Sequence, residues 1–123
     1  MTFNFLIALG MMVLSAAGGP KDKAVFTENF NRQKAYEKNW TDNAADAKQA
    51  TVEYLSKGGV DNSGCVKITN PEKGSVRIMH DLKGLTPGQL YRMSAKMKCE
   101  GVKEGRGAVI FLNPEGLEQS WNA

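Results

Sequence analysis

Between residues 57 and 113 the chain alternates short β-capable runs with clusters of Gly, Pro, Asn and Thr, a rhythm that predicts strands joined by tight turns. The runs are Cys65 to Thr69, Val76 to Leu82, Leu90 to Cys99 and Ala108 to Asn113. Between them lie Asn70-Pro71-Glu72-Lys73-Gly74, Thr86-Pro87-Gly88-Gln89 and Glu104-Gly105-Arg106-Gly107, with Lys57-Gly58-Gly59 ahead of the first run. Each combines residues that accept positive φ or preset a turn. Alternation is cleanest in the third run. Tyr91, Met93, Ala95, Met97 and Cys99 share one face, and Arg92, Ser94, Lys96 and Lys98 share the other. In the second run Val76, Ile78, His80 and Leu82 point one way, and Arg77, Met79 and Asp81 the other. Ala108 to Leu112 is apolar on both faces, which predicts a central strand covered on both sides.

Upstream the pattern is mixed. Asp42 to Ala50 contains good helix formers after a possible N-cap, whereas Thr51-Val52-Glu53-Tyr54-Leu55 favours a strand. The reading taken here is a loop or a single helical turn, then a strand from Ala50 to Leu55. No internal repeat or low-complexity tract interrupts the chain.

The N-terminus follows a different rule. Phe5 to Ala17 is an apolar run ending in the small residues Ser15, Ala16, Ala17, Gly18 and Gly19, and every charged residue of the chain lies after position 20. Such a run is shorter than the roughly 20 residues that cross a bilayer, and its small-residue end suits a signal peptidase. Residues 1–19 are therefore read as a signal peptide, although no Lys or Arg precedes the run. Residues 20–123 are the single domain that follows, placed outside the cell, in a periplasm or at a cell surface. Export allows Cys65 and Cys99 to pair, and a bridge closing that loop would supply about 3 kcal/mol. Strict alternation sets the two on opposite faces, but Cys65 begins its strand, where alternation is weakest. The disulfide stays open on this reading.

Composition narrows the chemistry. The chain has 123 residues with 16 Lys and Arg against 13 Asp and Glu, a net charge of +3. This length holds one domain of modest core. The charge is too small and too interleaved with acids for nucleic-acid binding by phosphate neutralisation. Phosphate loops, Cys-x-x-Cys pairs, His-Glu-x-x-His helices and Gly-x-Ser-x-Gly elbows are missing from the sequence. His80 is the single histidine, so a histidine relay or multi-histidine metal site cannot be assembled within the chain. It is read as a half-buried strand residue with a hydrogen-bonded ring. The acids Glu100, Glu104, Glu115 and Glu118 sit near turns, with no spacing that selects a catalytic pair. No enzymatic activity is assigned.

Two segments carry a family resemblance. Ser63-Gly64-Cys65-Val66-Lys67-Ile68-Thr69-Asn70 is followed by Leu85-Thr86-Pro87-Gly88-Gln89-Leu90-Tyr91 and Arg92-Met93-Ser94-Ala95-Lys96-Met97-Lys98. They resemble the β-sandwich carbohydrate-binding modules of the cellulose- and xylan-binding type, whose topology is the jelly roll of galactose-binding-like domains. Phe26-Thr27-Glu28-Asn29-Phe30 and Trp40 are similar to that family's opening Phe-Glu and Trp. The resemblance covers residues 25 to 121 and implies an all-β jelly-roll sandwich. Family members continue through further strands, so it also implies that residues 20–123 are the N-terminal portion of a module. Through that continuation the family often binds a structural calcium, and no other cofactor is implied.

The implied function is non-catalytic polysaccharide or oligosaccharide binding by a secreted module, with a tethered glycoside hydrolase as an implied partner and no nucleic-acid or membrane partner once the leader is removed. A sugar ring stacks its C–H face on an aromatic ring while its hydroxyls require fixed polar partners. Phe26, Phe30 and Tyr91 match structural positions of the family, Phe111 lies in the doubly apolar run, and Trp40 is read as a packed anchor. Trp121 is the leading platform candidate and Tyr54 the next. Arg106, Asn113 and Gln119 are candidate hydroxyl partners, beside Arg77, Arg92 and Lys96. In place of the Trp that xylan binders carry after the Val-Thr-Asn strand, this chain has Pro71-Glu72-Lys73-Gly74. Two other readings use the same scaffold: a structural or protein-interaction sandwich of a cell-surface protein, and the non-catalytic start of a glycoside hydrolase.

Overall fold

The computed structural model describes residues 6–16, 23–103 and 107–110. Its elements are strands β1 (Leu6–Ala16) and β2 (Lys23–Glu28), helix α1 (Gln33–Asn39), and strands β3 (Thr41–Asn43), β4 (Thr51–Leu55), β5 (Cys65–Thr69), β6 (Arg77–Met79) and β7 (Tyr91–Glu100). The regular structure of the described residues is therefore mostly strand with one short α-helix, consistent with the all-β class expected. Residues 44–50 form a loop of consecutive turns, in which Ala47 N donates to Ala44 O and Ala50 N to Ala47 O. The second apolar run forms hydrogen-bonded strand only over Arg77–Met79, because its partner β3 is just three residues long. Side-chain alternation nevertheless continues through half-buried His80 and Leu82.

Five strands form one sheet in the order β2-β1-β5-β4, with β7 pairing along the other edge of β1, and β3 and β6 form a separate ribbon. All pairings are antiparallel. Strand β1 is the hub. Its first half runs between β5 and β7, with Ile7 opposite both Ile68 and Cys99. Its second half runs between β2 and β7, with Leu14 opposite both Phe26 and Met93. Thus the segment read as an export leader lies at the centre of this sheet, where Leu14 is only 1% exposed. An uncharged apolar run suits a leader and a doubly paired strand equally, so hydropathy alone does not separate the two roles.

The core lies on one face of the large sheet. Buried Phe30, Trp40, Val66 and Ile68 form its centre, and Met12, Phe26, Tyr36, Val52, Tyr54, Val76, Ile78 and Ala95 pack against them. These side chains come from the sheet, from α1, from the ribbon and from the segments beside them that carry Phe30, Trp40 and Val76, and together they cover the sheet. Trp40 is the packed anchor expected of it, tilted against Phe30 at 5.5 Å between ring centroids. Glu28 explains why the Phe-Thr-Glu-Asn-Phe segment and Trp40 belong together. Its Oε1 accepts from Phe30 N at 2.8 Å, and its Oε2 accepts from the Trp40 indole at 3.3 Å. His80 is half-buried with a hydrogen-bonded ring, as read, but lies one residue beyond β6: the ring stacks on Phe26 at 4.6 Å, and Nδ1 lies 2.8 Å from Asn39 O.

Two glycine positions show where the backbone needs the space. A Cβ on Gly64 would lie 1.7 Å from Phe30 O, so the Ser63-Gly64 pair is dictated by a close chain crossing. Gly74 has φ 128° and would put a Cβ 2.1 Å from Asp46 O. The turn it closes is held by buried Asn70, whose Nδ2 donates to Gly74 O at 3.0 Å and whose Oδ1 accepts from Glu72 N at 3.2 Å.

One open expectation is decided and one changes. Cys65 is buried, Cys99 is exposed, and both are free thiols. Since β1 separates β5 from β7, Cys99 lies two strand spacings, about 10 Å, from Ile68. Cys65 is further along β5, and a disulfide requires Cα atoms within about 7 Å. Ala108 to Ile110, the described part of the expected doubly covered strand, form no strand, and Val109 is 52% exposed. The central place expected for that run is filled by β1.

Candidate functional site

The polar-aromatic cleft of the molecule is built by α1 and β4. On the helix, Gln33, Tyr36 and Glu37, continuing to Trp40, recur at the spacing of one helical face. On β4, Val52 and Tyr54 turn toward the core and are half-buried, while Glu53 is exposed at the rim. With Asp42 from β3 these residues line an open cleft of about 470 Å³.

Two tyrosines give the cleft its shape. The rings of Tyr36 and Tyr54 stack with centroids 5.7 Å apart and planes 27° apart. Tyr36 meets Phe30 edge-on at 6.1 Å. The Tyr54 hydroxyl donates to Phe30 O at 2.6 Å, so this ring is fixed at both its face and its tip. Burial first, and the Asp42 carboxylate second, raise the Tyr36 phenol above its ordinary value of 10.0, so it stays a protonated donor at neutral pH. Glu37, Asp42 and Glu53 are the charged residues of the lining, and all three are acceptors when ionised. Gln33 Nε2 donates to Glu37 Oε1 at 2.9 Å, which orients one of these carboxylates.

Of the residues expected to form a site, Tyr54 lies in this cleft. Trp121, Arg106, Asn113 and Gln119 lie outside the described residues. Arg77 is exposed on β6, and Arg92 and Lys96 are on the outward face of β7, so these three are not brought to the cleft. Tyr36 was not singled out from the sequence. Its signal is the Gln33, Tyr36, Glu37 and Trp40 spacing, which marks a helix face that strand-based reading passes over.

Among the described residues no group of three or more His, Cys, Asp or Glu side chains is placed to hold a metal ion. No described helix is long and apolar enough to cross a membrane. Comparison with protein-family profiles, with curated proteins and with solved structures finds no match.

Proposed function

We propose that this chain is a non-catalytic carbohydrate-binding module of jelly-roll type, exported after loss of residues 1–19, and that the cleft between α1 and β4 takes part in holding a polysaccharide chain. The observation that carries this reading is the stacked Tyr36–Tyr54 pair bordered by Glu37, Asp42 and Glu53. Aromatic rings offer the apolar contact that a pyranose C–H face needs. Carboxylates accept from sugar hydroxyls, as charge-assisted bonds stronger than neutral ones. A cleft of about 470 Å³ is large enough for one or two sugar units rather than a whole chain. Binding of this kind raises the local concentration of an attached enzyme at its substrate.

Affinity electrophoresis in gels containing soluble xylan, β-glucan or galactomannan tests the proposal. The wild-type chain is expected to be retarded by at least one of them. Tyr36→Ala and the rim variant Glu53→Gln are expected to migrate faster in that gel, and unchanged in a gel without polysaccharide. If none of the three polymers retards the wild-type chain, the binding reading fails, and the structural or protein-interaction sandwich takes its place. Loss of retardation in Trp121→Ala alone, with Tyr36→Ala and Glu53→Gln unaffected, would keep the function but move the site.

A further inference from the structure

Strands β2 and β7 each pair with β1 alone among the described strands. If residues 1–19 leave as an export leader, the reading on which this inference rests, the sheet loses its hub. Val66–Thr69 of β5 and Met97–Glu100 of β7 would then face each other across a gap one strand wide, which in this structure is filled by Leu6, Ile7, Ala8 and Leu9. A register irregularity between Leu9 and Met12 divides this half of β1 from the other, so the two halves are paired independently.

We propose that the run beginning at Ala108 is the second occupant of this slot, and that β1 and Ala108-Val109-Ile110 are alternative strands for one position in the sheet. The connection is already bent for it. Gly101 and Gly107 have φ 71° and 69°, conformations suited to the ends of a reversing loop. A Cβ on Gly107 would lie 3.6 Å from Val102 Cγ1, so the chain has turned back on itself at this point.

Closing that bend into a hairpin with Gly101 and Gly107 as its ends sets Ala108 opposite Glu100, Val109 opposite Cys99 and Ile110 opposite Lys98. Those are the β7 residues that Leu6, Ile7 and Ala8 pair with, in the same antiparallel sense. Across the slot the same places face Thr69, Ile68 and Lys67 of β5. The incoming segment is also the right kind. Ala108 to Leu112 is apolar at every position, and such a run is at home only where both backbone edges are paired and both faces covered. On the outer edge of β7 it would remain an apolar edge strand, an arrangement that natural sheets avoid. In the present structure Val109 is 52% exposed, and the exchange would set it in the central half of the sheet.

Cross-linking to the native Cys99 distinguishes the two occupants. Ile7→Cys and Val109→Cys are each made in the full chain, once kept in the cytosol with the leader retained and once exported. Each is oxidised mildly, and the link and the N-terminus are mapped by peptide mass. The pair Lys98→Cys with Ile110→Cys repeats the test one position along, so that the geometry of a single pair does not decide it. In the retained chain Ile7→Cys is expected to link to Cys99, and Val109→Cys is not. In the exported chain, beginning after residue 19, Val109→Cys is expected to link to Cys99, and the second pair to link as well. The proposal is overturned if neither link forms in the exported chain, if both form equally in the retained chain, or if the exported chain keeps residues 6–16.

Discussion

The hydroxyl of Tyr54 donates to the carbonyl of Phe30 at 2.6 Å, and this bond joins the aromatic cleft to the largest fully buried side chain among the described residues. Phe30 has φ 55°, a left-handed conformation that a bulky residue adopts only when its surroundings hold it there. Three groups do so here: Glu28 accepts from its N–H, Tyr54 donates to its C=O, and Gly64 leaves room beside it. Replacing Tyr54 by Phe keeps the ring and its stack on Tyr36 but leaves the Phe30 carbonyl without this donor. The expected loss is about 1–2 kcal/mol of stability, read as a lower urea midpoint with an unchanged slope. Retardation by polysaccharide should fall less than in Tyr36→Ala, because the platform remains.

Gly64 and Gly88 separate crowding from backbone strain. Gly64→Ala places a methyl 1.7 Å from Phe30 O and 2.6 Å from Phe30 C, and backbone atoms cannot rotate away as a side chain can. It should cost about 3 kcal/mol, the upper end of overpacking effects, and weaken the 2.9 Å bond from Gly64 N to Asn31 Oδ1. At Gly88, φ is 78° but a Cβ meets nothing within 4 Å, so Gly88→Ala should cost only about 1 kcal/mol. Equal losses in thermal unfolding of the two variants would contradict the crossing at Phe30.

The two thiols should react in two steps. Cys99 is exposed, whereas Cys65 is fully enclosed and burial pushes its thiol above the ordinary value of 9.0. Since the thiolate is the reactive form, a chromogenic disulfide reagent at pH 8 should titrate one thiol in the native protein and the second only after guanidinium is added. Fast release of two equivalents from the native chain would place Cys65 at the surface.

Tyr36 makes stability fall at alkaline pH. Its folded-state value is raised above 10.0, first by burial and then by Asp42, so the native state holds the phenolic proton more tightly than the unfolded chain. The stability linked to that proton is fully present below pH 10 and is lost as pH rises through the raised folded value. Tyr36→Phe should flatten the stability profile above pH 10, and Asp42→Asn should shift the slowest tyrosine transition in an ultraviolet titration toward lower pH. A wild-type titration in which all tyrosines ionise together near pH 10 would contradict the burial.

Strand β7 could be read from the chain because it has a wet face and a dry face and alternation records both, whereas β4 and β5 were legible as β-prone runs bounded by turn residues. Helix α1 could not be read in the same way: seven residues carry only one turn of apolar repeat, too little to stand out beside the turns around it. Of the cleft, Tyr54 was visible as an aromatic on a strand, while its partner Tyr36 became visible only with the helix. Phe30 and Trp40 pack together in the core, and Gly64 lies against the Phe30 backbone. Those are packing residues, and packing residues recur in sandwiches of unrelated function.

Local pattern alone thus marked the stretches of β4, β5 and β7 as extended, gave the dry face of β7 and placed the turns between the runs from Lys57 onward. Those properties depend on a residue and its near neighbours in sequence. Which strand occupies the centre of the sheet, whether Cys65 can reach Cys99 and which tyrosines meet were decided by the tertiary structure. Each depends on pairing between segments far apart in the chain, as where Leu6 to Leu9 fill the place between β5 and β7.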